Sequence, residues 1–338
     1  MELKHEPNSI PITASELAYL WNTYLLNSKS KHILMYAVAK CDDKDLRSVL
    51  QLALDLSAQS LDKVSKIFDA ENQQVPYGFS EEDIYINAPK IYSDKIMIYT
   101  LQVYMSVGLS NYGTAISLSP RQDTRKFFTD SMISSIDLSN KIDDILLEKG
   151  IYLRTPSIPT TQKTEFAEDK SIMGRVIGHK RPLNALEISS VFSCSLVSSI
   201  AEAYILGMAQ TIEDNRLKDF LSRTKKTLKE QTETFNQILH KDDLAFPPNL
   251  ASEVLNSSEH VFSDRLSFFT SYATLADVLA VFSIGKLGAM RKDILMTITQ
   301  LSGEILLLIK DATDLMLERN WFEEMPKNID REDIKKAY

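Results

Sequence analysis

Residues 91–100, IYSDKIMIYT, return as VFSDRLSFFT at 261–270. The Ser-Asp-basic triplet is kept and the apolar residues around it are exchanged. Sliding the chain by 171 positions brings Glu16 onto Glu187, Leu46 onto Leu217, Leu50 onto Leu221 and Pro76 onto Pro247. One residue is then lost, and a shift of 170 brings Ser93-Asp94 onto Ser263-Asp264, Arg121 onto Arg291, Asp123 onto Asp293, Glu148 onto Glu318 and Pro156 onto Pro326. A register held over about 140 positions is the duplication of a whole domain.

Each copy reads as four helices. Helix one follows an N-cap at Thr13 or Ser15 and carries Leu17, Leu20, Trp21, Tyr24, Leu34, Met35 and Val38 on one broad face. Helix two runs from about 44 to 70, with Leu46, Val49, Leu50, Ala53, Leu56, Leu61, Val64 and Ile67 at three- and four-residue spacing. VPYGFSEEDIYINAPKIYSD (75–94) then breaks the period, and its prolines and glycine describe a long connection. Asp94 is expected to cap helix three, about 94–118, and helix four runs from about 121 to 149. The second copy repeats the scheme at about 185–210, 214–240, 264–288 and 291–319.

Short turns after helices one and three, with a long crossover after two, make helices two and three parallel. That is the connectivity of ferritin-like bundles. The expected fold is therefore all-α, with two tandem ferritin-like four-helix bundles at 1–160 and 185–338. The segment 161–184 between them is expected to pack along the bundles through Phe166, Ile172, Met173, Val176 and Ile177.

Composition narrows the function classes. A hydrophobic share of 44% and a charged share of 25% are globular. A formal charge of −8 and a pI near 5.3 argue against a nucleic-acid partner, which needs a basic face. Cys41 and Cys194 have no metal or redox spacing and read as reduced packing residues. The N-terminal stretch holds no apolar run of the secretory kind. The most apolar window, 188–210, contains Glu202 and six serines, which argues against a spanning helix. A cytoplasmic protein without a membrane span is expected.

A ferritin-like bundle invites a di-metal site, which takes a Glu-x-x-His from each of two helices. The histidines are His5, His32, His179, His240 and His260, and no Glu-x-x-His occurs, so the usual oxidase is rejected. No cofactor is expected. In the second copy Glu202, Glu230 or Glu233, Asp277 and Glu304 lie near the middles of the four helices and could bind a hard cation as an all-carboxylate set. The alternative is that some face solvent while Asp277 or Glu304 joins a core hydrogen-bond or ion-pair network. Asp94, Arg121 and Asp123 could form a polar binding cluster or be a cap plus an ion pair. Tyr99, Tyr104, Tyr112, Phe127 and Phe128 are either plain core or the wall of an apolar ligand pocket, with Tyr104, Tyr112 and Phe128 the residues assigned to it.

VPYGFSEEDIYINAPKIYSD, GLSNYGTAISLSPRQDTRKFF, EKGIYLRTP and HKRPLNALEI resemble the two-bundle proteins called domain of unknown function 3231, a family similar to spore coat protein F. The resemblance covers about 13–332. It implies the ferritin-like fold and an association with sporulation or the spore surface, and it implies no reaction. The second copy departs from the pattern, with Val281-Phe282-Ser283 where the first has Asn111-Tyr112-Gly113. Two function classes stand: a non-enzymatic structural or interaction protein with protein partners or self-association, and a carrier of a small apolar ligand in a bundle core.

Overall fold

The computed structural model describes residues 10–160, 163, 166, 173 and 181–328. Eight α-helices carry the described chain: α1 (Ala14–Lys40), α2 (Lys44–Ala70), α3 (Asp94–Ser117) and α4 (Gln122–Glu148) in the first half, then α5 (Ala185–Thr211), α6 (Asn215–Lys241), α7 (Asp264–Gly288) and α8 (Lys292–Glu318) in the second. The helix starts reproduce the shifts of 171 and 170 found in the sequence.

Local chemistry sets the boundaries. Thr13 and Glu16 form a capping box at α1, and Asn184 and Glu187 form its copy at α5. Asp43 and Asp214 cap α2 and α6. The cap of α3 is Ser93, and that of α7 is Ser263. Asp94 has another task than the one its sequence position suggests: its Oδ2 accepts from the backbone amides of Asp42, 3.0 Å, and Asp43, 2.9 Å, pinning the start of α3 to the α1–α2 turn. Asp264 does the same for Glu213 and Asp214, both at 2.9 Å. Helices α2, α4, α6 and α8 end in left-handed residues, Asn72, Gly150, Asp243 and Asn320, which stop further helical hydrogen bonding.

The opposite end of each half is tied by a buried glutamate. Glu16 accepts from the backbone N–H of Arg121 at 3.0 Å and from the Thr124 hydroxyl at 2.6 Å, joining the start of α1 to that of α4. Glu187 accepts from Arg291 N–H at 2.7 Å and from Arg181. With α1–α2 contacts at one end and these at the other, α2 and α3 run in the same direction.

The two halves meet through their crossovers about a pseudo-twofold axis. Tyr85 N–H donates to Val261 O and Leu255 N–H donates to Ile91 O, both at 2.9 Å. Ser93 N–H donates to Glu253 O at 2.9 Å and Ser263 N–H to Asp83 O at 2.8 Å. Each pair maps onto the other when 170 is added or subtracted, so the contact is self-complementary. At its flanks Tyr36 packs edge-on against Phe262, centroids 5.1 Å apart. The equivalent of Tyr36 is Gly207, and there Tyr92 enters further, stacks on Tyr204 at 5.0 Å and donates its hydroxyl to the Tyr204 carbonyl.

Between the halves, Phe166 is 89% exposed, against the packing expected of it, and Met173 is 43% exposed; Ile172, Val176 and Ile177 lie outside the described residues. Cys41 and Cys194 are buried free thiols. Two helices, α5 and α7, are long and apolar enough to cross a membrane, and 83% and 50% of their apolar windows are buried inside the protein.

Two glycines test this packing. A Cβ at Gly207 would run into the Tyr92 ring, whereas one at Gly108 in α3 meets nothing within 4 Å. Gly207→Ala is expected to lower the denaturation free energy by about 1–3 kcal/mol, and Gly108→Ala to raise it by up to about 1 kcal/mol. Guanidinium titration of both variants measures the difference, and equal effects would contradict the close approach at Tyr92.

Candidate functional site

In the first half, α1 and α3 barely touch, whereas their copies α5 and α7 pack along one another. The space left in the first half is a cavity of about 180 Å³. The duplication shows why. Lys29, Ser57, Gly108 and Ser135 line the cavity, and their copies are Ile200, Leu228, Val278 and Ile305, each buried. The second half fills with branched apolar side chains what the first leaves open.

The cavity has two characters. Leu34, Leu50, Leu101 and Leu138 line it towards the α1–α2 turn, and Asn22 and Lys63 stand exposed at its mouth. Buried among its walls are Ser60 Oγ, Thr100 Oγ1, Tyr104 Oη and Tyr204 Oη, none with a hydrogen-bond partner of normal geometry. The two tyrosine hydroxyls lie close enough to influence each other's ionisation, which burial pushes up in both. Tyr204 reaches the site from the second half, brought there by the deeper entry of Tyr92.

Besides its tyrosines, the ionisable side chains lining this space are Lys29, Lys63, Asp130 and Asp277, of which Lys29 and Asp277 are the two that burial shifts. Lys29 is only 2% exposed, with its Nζ 3.8 Å from the centre of the Tyr104 ring. Burial pulls its ammonium down to about 8, against a weaker upward pull from Asp277. Asp277, on α7, keeps open surface towards the cavity; burial pushes it up to about 7, with Lys29 drawing it partly back.

Of the residues singled out in the sequence, Tyr104, Tyr112 and Phe128 line this one cavity. Phe127 packs edge-on against Phe128 in the core, and the Tyr99 hydroxyl donates to Ile151 O at 2.5 Å. Asp94 lies at the α1–α2 end of the bundle, paired with Lys90 at 2.5 Å. Arg121 and Asp123 lie at the other end, where Arg121 also reaches Glu71 at 2.5 Å. The three do not form a cluster.

The second-half carboxylates do not come together as one set, although Glu202 and Glu233 share a pocket beside Lys229. Asp277 faces the first-half cavity, Glu304 accepts from Gln231 Nε2 at 3.0 Å, and Glu233 is exposed beside Lys229 at 3.9 Å. Glu230 is exposed too, and Glu202 is buried, a setting that pushes its carboxyl up. Among the described residues no group of three or more His, Cys, Asp or Glu is placed to hold a metal ion. Lys29 was missed in the sequence because one lysine in a polar stretch reads as solvated. Its copy, Ile200, was the available signal: an apolar residue at the duplicated position marks the place as interior.

A family model described as "Protein of unknown function (DUF3231)" matches residues 2–164 and again 171–334. Among solved structures, one described as a "putative spore coat protein" from Bacillus halodurans C-125 is similar at 16% identity and a TM-score of 0.39, covering 47% of this chain and 100% of that one. No curated protein matches the chain.

The buried pair gives stability a distinctive pH dependence. Between 3.8 and about 7 the folded chain holds a proton on Asp277 that the unfolded chain has released, so this group's contribution falls as pH rises through that window. Between about 8 and 10.5 the unfolded chain holds a proton on Lys29 that the folded chain has released, so stability recovers as pH rises there. The pair therefore costs most between about 7 and 8. A Lys29→Met/Asp277→Leu double variant is expected to be more stable than the parent by about 1–4 kcal/mol in that interval. Its advantage should shrink on both sides, and denaturant titrations across the pH range that show a constant difference would refute the assignment.

Proposed function

The chain belongs to the DUF3231 family, and on that premise we propose that its first half is a small-molecule-binding bundle for which the second half serves as support and closing wall. One observation carries the reading: the first half keeps a cavity lined by Lys29, Ser57, Gly108 and Ser135 and bordered by buried hydroxyls, where the duplicated copy has Ile200, Leu228, Val278 and Ile305 packed in its core. An unsatisfied buried polar group costs about 1–3 kcal/mol. A ligand offering hydrogen bonds offsets that cost. The mixed wall supports an amphipathic ligand in place of the purely apolar one expected from the aromatic residues. The parallel α2 and α3 support a ferritin-like reading of each half, with 1–160 and 185–338 as the domains.

The interaction-protein reading is favoured by a separate observation. The fourth helices expose equivalent apolar residues, Ile136 and Leu147 on α4 and Leu306 and Leu317 on α8, with Leu307 66% exposed beside them. Such a surface suits contact with other chains, a role compatible with the spore setting that the family resemblance implies. On this reading Leu307→Glu converts a self-associated species to monomer in light scattering, and a parent chain that is monomeric at every concentration counts against self-association.

The ligand-binding reading is tested by filling the cavity as the second half does. Gly108→Val/Ser135→Ile is expected to fold while losing affinity for octan-1-ol by roughly tenfold or more in titration calorimetry. Equal binding to parent and variant, or binding to neither, would overturn it.

A further inference from the structure

We propose that the first-half cavity takes a short- to medium-chain monocarboxylate, its carboxylate held at Lys29 and its hydrocarbon chain lying among Leu34, Leu50, Leu101 and Leu138. This rests on the small-molecule reading above and names the class of ligand.

Lys29 and the buried hydroxyls of the cavity can all donate, and Lys29 can do nothing else. The Lys29 ammonium carries three N–H bonds, and among the described residues none finds a hydrogen-bond acceptor or a direct ion-pair partner; its close neighbour is the Tyr104 ring face. A ring face attracts a cation without supplying an oxygen lone pair. The Tyr104 and Tyr204 hydroxyls stand close together on the same cavity wall without a hydrogen bond of normal geometry, and the Thr100 hydroxyl is likewise without one. A carboxylate is the complementary group, because it accepts only and offers about four lone-pair sites. It also removes the cost of an ammonium buried without an acceptor.

Asp277 fits the same chemistry. In the empty cavity its charge balances Lys29 without touching it. When a second carboxylate arrives, two anions in one enclosed space cannot both stay ionised easily. Asp277 takes a proton from solvent, becomes a donor, and leaves Lys29 paired with the ligand. The other titratable groups facing it are Lys29 from α1, Tyr104 from α3 and Tyr204 from α5. Burial raises both tyrosines above their ordinary range, so neither takes up that proton near neutrality. The size is also suitable. At about 15 Å³ for each water-sized occupant, 180 Å³ admits about a dozen non-hydrogen atoms.

The test compares three probes with one tail: octanoate, octan-1-ol and octylamine, titrated calorimetrically into the full chain near pH 7.5. Octanoate is expected to bind roughly tenfold or more tightly than octanol, with net proton uptake seen as a heat that varies with buffer, and octylamine is expected not to bind. Lys29→Met should abolish the preference for octanoate while octanol still binds. Asp277→Asn should strengthen octanoate binding by removing the competing anion, and this variant together with the three-probe series decides the matter if Lys29→Met does not fold. Octanol binding as tightly as octanoate, or a preference that survives Lys29→Met, overturns the carboxylate assignment and leaves the cavity reading standing. Binding of none of the three overturns both.

Discussion

The structure depends on four backbone hydrogen bonds between the two crossovers. Tyr85 with Val261, Leu255 with Ile91, Ser93 with Glu253 and Ser263 with Asp83 join short extended segments that would otherwise leave polar backbone unpaired beside a helical core. Each such bond contributes only about 1 kcal/mol net. Their weight is geometric, because they fix the pseudo-twofold axis and so decide which side chains of one half face the other. Tyr92, Tyr204 and Asp277 reach their positions through this contact.

Symmetry at that interface is broken at two pairs of positions, Tyr36 with Gly207 and Tyr92 with Phe262. Tyr36 fills its place and holds Phe262 at the rim, while Gly207, its copy, lets Tyr92 go further and press on Tyr204. The consequence extends beyond the interface. Tyr204 is turned towards the first-half cavity, and Asp277 enters from α7 to face Lys29 across it. A duplicated scaffold has thus diverged into a bundle with a polar hollow and a bundle with a solid centre. The ends of both have kept the same ties: Glu16 and Glu187, Asp94 and Asp264, Arg121 and Arg291.

The helices and their order were legible because helical periodicity and capping are local properties. Thr13 with Glu16, and Asn184 with Glu187, announce a helix start within four residues. Asp94 shows the limit of that reasoning. Its neighbour Ser93 caps α3, and Asp94 serves amides some fifty positions earlier in the chain, a partner that no spacing rule could supply. Tyr104, Tyr112 and Phe128 could be grouped because all three lie on adjoining faces of α3 and α4. The grouping of Arg121 and Asp123 with Asp94 failed because the start of α3 and the start of α4 lie at opposite ends of the bundle.

By itself the sequence determined the all-helical architecture, the duplication and its register, the long crossovers, and the absence of the histidine pattern on which a di-metal site depends. These follow from periodicity, turn chemistry and residue inventory, each readable over a few dozen positions or by comparing the two copies. Only the tertiary structure decided that Lys29 is buried, that Asp277 belongs to the other half's cavity and that the hydroxyls of Ser60, Thr100, Tyr104 and Tyr204 are enclosed beside it without hydrogen bonds of normal geometry. The reason is physical: whether a polar side chain is solvated or enclosed depends on what is packed against its helix from elsewhere in the chain. Here much of that packing arrives across the pseudo-twofold axis from more than a hundred residues away.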